Sequence, residues 1–152
     1  SGTVKIGDFN GDNQSDALCI TFDTQTSLFN FNLLYGFGGT FSSASENIDG
    51  KLSQTKNWSK DSKIVIGDFD GDKYSDMLAF NSDGFDLLYG SANLFVTKSS
   101  FTSNLLASNQ PSAVSCYNTE INHILVGDLN DDKRDDIVCI TGSQTIIIDS
   151  ST

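Results

Sequence analysis

Proline, histidine, methionine and tryptophan each occur once in this 152-residue chain. Basic residues are also scarce, nine against twenty acidic, for a formal net charge of −11 and a pI near 4.1. That balance disfavours nucleic acid or an anionic membrane surface as a partner. No apolar run approaches the roughly 18 residues that a membrane-spanning helix needs, so no membrane insertion is expected. No signal-peptide pattern opens the chain, and Ser1-Gly2 reads as the start of a mature or excised segment. Cysteine is sparse and odd in number: Cys19, Cys116 and Cys139 match no zinc spacing. Cys19 and Cys139 sit inside apolar runs (ALCITF, IVCIT) and read as small buried hydrophobes. The single histidine, His123, has no Ser or Cys arrangement around it that suggests a triad, so no enzyme is expected. No segment has convincing 3.6-residue periodicity, which argues against helices.

What the chain has is a repeat. GDFNGDNQSDALCI (7–20) returns within IGDFDGDKYSDMLAF (66–80) and VGDLNDDKRDDIVCI (126–140), with lead aspartates Asp8, Asp68 and Asp128 spaced 60 residues apart. A second landmark, LLYGFGGTF (33–41), recurs as LLYGSANLF (87–95) at an offset of 54. The six residues lost between landmarks are regained before the next motif, which is how loops between fixed strands behave. The third copy offers only TIIID (145–149), with Asp149-Ser150 where Tyr-Gly stood. Short β-branched runs (VKIGDF, KIVIGDF, HILVGDL) precede each polar loop, and a second apolar run follows it. The expected fold is therefore all-β, in units of about four antiparallel strands. These span 1–60, 61–120 and a truncated 121–152. Such a unit cannot bury both of its faces alone but can do so when stacked, which points to propeller blades.

The polar loops carry the chemistry. Counting from the lead aspartate, position 1 is Asp8, Asp68 or Asp128, position 3 is Asn10, Asp70 or Asn130, and position 5 is Asp12, Asp72 or Asp132. Position 7 varies (Gln14, Tyr74, Arg134), and position 9 is Asp16, Asp76 or Asp136. Oxygen side chains at odd positions, with a tolerant seventh that can offer its carbonyl, follow the ligand rhythm of a calcium loop. Hard oxygen donors without Cys or His disfavour zinc and copper, and magnesium demands stricter octahedral geometry. These positions hold ten of the twenty acidic residues. Three Ca²⁺ ions would bring the net charge of −11 to about −5. The alternative is an Asp/Asn/Gly hairpin turn with no ion, since those residues favour turns anyway. An EF-hand would need Gly at position 6 and Glu at position 12; here Asn13, Lys73 and Lys133 occupy the sixth place, and Cys19, Ala79 and Cys139 the twelfth.

The pattern apolar–G-D-[FL]-[ND]-[GD]-D-x-x-[SD]-D–apolar resembles the FG-GAP (VCBS-type) repeat of integrin-α-like β-propellers. LLYG followed by a turn and Phe41 or Phe95 resembles the rest of that repeat. The resemblance implies calcium in the hairpin joining the first two strands of each blade. It implies ligation by positions 1, 3, 5 and 9 plus the carbonyl at 7, three sites in all. It also implies a seven-bladed propeller, of which this chain would be about two and a half blades, with extracellular or cell-surface placement and a role in adhesion or ligand recognition. The missing blades would come from a longer parent chain or from further copies. One departure is Asp131 at position 4, where the other loops have Gly11 and Gly71; if φ is positive there, the third site is expected to bind more weakly.

Loops at the strand ends are the expected recognition surface for a glycan or a protein. Trp58, Tyr117, Phe37 and Phe101 could stack on a sugar or anchor a protein, or be packing residues. Tyr35 and Tyr89 recur in register, which argues for packing. A structural, self-assembling surface or filament component, its blades rigidified by calcium, is the alternative to an adhesion or lectin-like module. Asn13-Gln14-Ser15 and Asn57-Trp58-Ser59 are sequons that matter only in a eukaryotic secretory setting, as for a glycoprotein.

Overall fold

The computed structural model describes residues 2–42, 46–47, 58–81, 84–92, 95, 121–141 and 145–150. They form only β-structure. Among the described residues there is no helix, and none therefore long and apolar enough to cross a membrane. In the first repeat, β1 (Gly2–Gly7), β2 (Asp16–Asp23), β3 (Leu28–Leu34) and β6 (Glu46–Asn47) make a four-stranded antiparallel sheet in that order. A small hairpin, β4 (Gly36–Phe37) with β5 (Thr40–Phe41), projects beside it. The second repeat forms the sheet β7 (Lys63–Gly67), β8 (Asp76–Asn81), β9 (Gly84–Leu88). The third forms β10 (Ile121–Gly127), β11 (Asp136–Thr141), β12 (Thr145–Ile148). Each of the three main sheets is open, with four described strands in the first and three in each of the others.

Period-two side-chain alternation explains how the sheets meet. In the first sheet Leu18 pairs with Leu33 and Ile20 with Phe31, and all four are buried on one face. That face packs on Ile64, Met77, Ala79 and Leu88 of the second sheet, with Phe9, Trp58 and Phe95 filling the seam. The second sheet's opposite face, with Val65, Phe69, Leu78 and Phe80, packs on Ile137, Cys139 and Ile148 of the third. The middle sheet is therefore buried on both sides, which is why Met77, Leu78, Ala79 and Phe80 run apolar without alternation. The first strands of successive repeats lie side by side, β1 by β7 and β7 by β10.

Trp58, a candidate recognition aromatic from the sequence, is instead buried between repeats. Its ring meets Phe29 and Phe31 edge-on at about 6 Å, and its indole N–H donates to Asp86 Oδ2 at 2.7 Å. Tyr89 is buried and Tyr35 packs against the same core, in keeping with a packing role for both. Phe37 is exposed on the β4–β5 hairpin, whereas Phe101 and Tyr117 lie outside the described residues. His123 lies inside β10 and is exposed. Cys19 is a free, partly buried thiol; Cys139 is buried and disulfide-bonded, a role beyond that of a small hydrophobe. Cys116 and Asn57 lie outside the described residues, and Asn13 is exposed.

Candidate metal centre

Each polar loop joins the first two strands of its repeat: residues 8–15 between β1 and β2, 68–75 between β7 and β8, and 128–135 between β10 and β11. The same turn is built three times. Position 4 is left-handed in every loop, at φ 77° and 78° for Gly11 and Gly71 and 63° for Asp131. Position 6 is left-handed too, although it holds Asn13, Lys73 and Lys133. A left-handed sixth residue thus occurs here without glycine; the case against an EF-hand stands on the absence of Glu at position 12 and on the flanking strands.

This backbone turns its N–H groups inward. Asp8 Oδ1 accepts from Gly11 (2.7 Å) and Asp12 (3.2 Å), and Oδ2 from Asn13 (2.8 Å). Asp68 repeats the set with Gly71 (2.7 Å), Asp72 (3.1 Å) and Lys73 (2.9 Å). Asp128 accepts from Asp132 (3.2 Å) and Lys133 (2.9 Å). Position 3 accepts the N–H of position 5 in all three loops, at 3.0, 3.3 and 3.0 Å. Position 5 in turn accepts the N–H of position 7: Gln14 to Asp12 at 2.8 Å, Tyr74 to Asp72 at 3.0 Å and Arg134 to Asp132 at 2.9 Å. These bonds hold the carboxylates in place, and they would serve a bare turn as well as a filled one.

Position 9 does more than end the loop. Asp16, Asp76 and Asp136 are all buried at the start of the second strand. Oδ2 of each accepts the N–H of position 2 (Phe9, Phe69, Leu129) at 2.8–3.0 Å. Oδ1 accepts the N–H of Gly36, Gly90 or Ser150 at 2.7–2.9 Å. The glycine of LLYG therefore ties the end of the third strand to the loop. A Cβ there would stand 2.2 Å from Ser15 O in the first repeat and 2.6 Å from Ser75 O in the second. Burial pushes the Asp76 carboxyl up to about 8, against the pull of its N–H bonds, with the Asp70 and Asp68 charges adding to the rise. Burial also raises Asp68 and Asp16.

The structure brings three of the sequence-predicted ligands together in the second loop. One carboxylate oxygen each from Asp68, Asp70 and Asp76 lie within 4.8 Å of one another, close enough to share a metal ion. Among the described residues this is the one such group of acids, histidines or cysteines. The first and third loops have a neutral oxygen donor, Asn10 or Asn130, at position 3. Asp72 is not in the cluster and is exposed, as are Asp12 and Asp132. The donor set is all oxygen and, with all three carboxyls ionised, would carry three negative charges in a small, partly desolvated space, which suits a hard divalent cation.

Sequence reasoning assigned no role to position 8. The N–H of Ser75 donates to Asp8 O at 2.7 Å, and that of Asp135 donates to Asp68 O at 2.7 Å. The Asp135 carboxylate also accepts the N–H of Asp68 at 2.8 Å. The first and second loops are thus each fastened to the loop of the following repeat. Position 7 covers its predecessor: a Cβ on Gly11 would be 2.5 Å from the Tyr74 ring, and one on Gly71 would be 3.3 Å from Arg134 Cγ. Comparison with models of known protein families gives no match, and neither does comparison with curated proteins.

Proposed function

We propose that the chain is a calcium-binding β-propeller segment, of the FG-GAP (VCBS) type its repeats resemble. It would act outside the cell or at its surface, in adhesion or in recognition of a glycan or protein. The observation that carries this reading is the cluster of Asp68, Asp70 and Asp76 within 4.8 Å, in a turn built the same way in two further loops. Three carboxylates that close repel one another, and a divalent cation reverses the sign of that interaction. Asp8, Asn10, Asp12 and Asp16, with the Gln14 carbonyl, would hold one Ca²⁺. Asp68, Asp70, Asp72 and Asp76, with the Tyr74 carbonyl, would hold a second, and Asp128, Asn130, Asp132 and Asp136, with the Arg134 carbonyl, a third. Bound calcium would supply charge neutralisation and a rigid platform for neighbouring loops.

Face-to-face stacking of sheets whose first strands lie side by side favours blades of a propeller, completed by a parent chain or by further copies. A disulfide at Cys139 suits an oxidising compartment. The acids have a structural use and His123 stands exposed on a strand, so the reading is of a binder and not an enzyme. Phe37, exposed on a hairpin whose Gly38 N–H is held by Gln14 Oε1 at 3.1 Å, is the aromatic best placed to stack on a ligand. A glycan-array screen in calcium and in chelator tests the recognition half. A calcium-dependent hit lost in Phe37→Ala supports a lectin. Silence in both arms removes glycans and leaves protein adhesion or structural assembly.

A further inference from the structure

Adjacent loops are joined through the very peptide groups that would ligate an ion. The carbonyl of position 7, a proposed ligand, and the N–H of position 8 belong to one rigid, planar peptide group and point opposite ways. In the third loop that group joins Arg134 to Asp135, and its N–H donates to the Asp68 carbonyl of the second loop at 2.7 Å. The Asp68 carbonyl in turn shares a peptide group with the Phe69 N–H, which donates to Asp76 Oδ2 at 2.8 Å. A line of two peptide groups therefore runs from a ligand position of the third loop to the buried ninth carboxylate of the second. The first junction is built alike. There the Ser75 N–H donates to the Asp8 carbonyl at 2.7 Å, and the Phe9 N–H to Asp16 Oδ2 at 2.9 Å. The second junction has an addition: Asp135 Oδ2 accepts the Asp68 N–H at 2.8 Å, so Asp135 holds the second loop's lead aspartate by both of its backbone groups. The fit leaves little slack, since a Cβ on Gly67 would be 2.9 Å from Asp135 Oδ2 and one on Gly71 would be 3.3 Å from the Lys133 carbonyl.

On the calcium reading, and resting on it, we infer that filling the third loop tightens the second, with Asp135 as the positioning residue that couples them. A cation drawn to the Arg134 carbonyl polarises the Asp135 N–H. That strengthens its bond to Asp68 and, through the next peptide group, the bond from Phe69 to Asp76. The lead and ninth carboxylates of the second loop are then already held in place, and less ordering is left for its own cation to impose. Linkage makes the effect reciprocal: filling the second loop tightens the third by the same factor. Coulomb repulsion between two dications acts in the opposite sense, so the sign of the coupling separates the two effects. Asp135 is not itself a ligand; it acts through Asp68.

Calcium titration of the isotope-labelled chain, followed by NMR, gives one isotherm per loop from the amides of Gly11, Gly71 and Asp131. Asp128→Asn combined with Asp132→Asn removes two charges from the third loop and leaves each side chain an acceptor oxygen for the turn. That loop should stay empty, and its charge then equals that of the filled wild-type loop, so Coulomb interaction alone predicts no change at the second. The coupling predicts a second loop weakened by about fivefold or more. Asp135→Ala should weaken the second loop to a similar degree and should speed hydrogen exchange at the Asp68 amide even in chelator. Asp135→Asn removes the same charge but keeps an oxygen for that N–H, so it should restore most of both, and it keeps the test decisive if the alanine variant fails to fold. Unchanged or tighter binding at the second loop when the third is empty overturns the coupling. An Asp135→Asn variant no better than Asp135→Ala overturns the role of Asp135. In both cases saturable calcium shifts leave the calcium reading standing, whereas no saturable shift at any loop removes that reading and the coupling with it.

Discussion

Replacing Asp76 with Asn keeps size and shape but changes what the two inward N–H groups meet. Asp76 Oδ1 accepts from Gly90 at 2.7 Å and Oδ2 from Phe69 at 2.8 Å, in full burial. Asparagine offers one oxygen and one amide, so one of the two N–H groups must face another donor. A buried donor left unsatisfied costs about 1–3 kcal/mol, which for a domain of this size lowers the melting temperature by roughly 2–12 °C. The loss should appear in chelator as well as in calcium, since even the protonated carboxyl favoured without a cation keeps accepting lone pairs on both oxygens, whereas the amide nitrogen has none. Asp70→Asn is the counterpart. Asparagine stands at the same position in the other two loops, as Asn10 and Asn130, and its oxygen can still accept the position-5 N–H. It should leave the chelator melt unchanged, or raise it by relieving repulsion with Asp68 and Asp76, while weakening calcium binding at the second site. Melts followed by circular dichroism with and without calcium separate the two variants. An Asp76→Asn protein that melts like the wild type in chelator would refute the idea that this carboxylate clamps the loop to the third strand.

The pH dependence follows from the same residue. Its folded value of about 8 lies above the ordinary 3.8, so without a cation the folded state keeps a proton that the unfolded chain has released. Stability in chelator should therefore fall as pH rises from about 4 to about 8, and calcium, which needs the ionised form, should stabilise more at pH 7.5 than at pH 5; an apo melt higher at pH 7.5 would contradict this. Extracellular modules bind calcium at roughly 0.1–1 mM, and tenfold excess over Kd stabilises by about 1.4 kcal/mol per site. Excess chelator should lower the melting temperature, and Asp72→Ala should reproduce part of that loss. Gly67→Ala places a Cβ 2.6 Å from Val126 Cγ1 and 2.9 Å from Asp135 Oδ2, and should destabilise by about 1–3 kcal/mol. Gly127→Ala meets nothing within 4 Å, so its single-chain stability should match the wild type in the same melt.

Strands and loops were legible because both depend on local pattern. The 60-residue period, the apolar runs flanking each loop and the oxygen side chains at odd positions place β1–β2, β7–β8 and β10–β11 in register without help from the rest of the chain. What the pattern could not show was what depends on the next repeat. Ser75 and Asp135 look like ordinary turn residues until the preceding lead aspartate is seen accepting their N–H groups. Trp58 looks like a loop aromatic until Asp86, from a strand 28 residues on, is found beneath its indole N–H. The double acceptor role of Asp16, Asp76 and Asp136 did leave a signal. Each directly precedes the second apolar run, where a carboxylate must be buried with partners. Lys73 and Lys133 at left-handed positions left none, since lysine carries no preference for that backbone.

Calorimetric titration of calcium into the chelator-treated chain at pH 7.5 tests the metal centres most directly. Three built loops predict saturable binding at three ions per chain with dissociation constants of roughly 0.1–1 mM, falling to two in Asp72→Ala. No saturable heat up to several millimolar calcium, together with an unchanged melt, would contradict the account and leave the three loops as hydrogen-bonded turns.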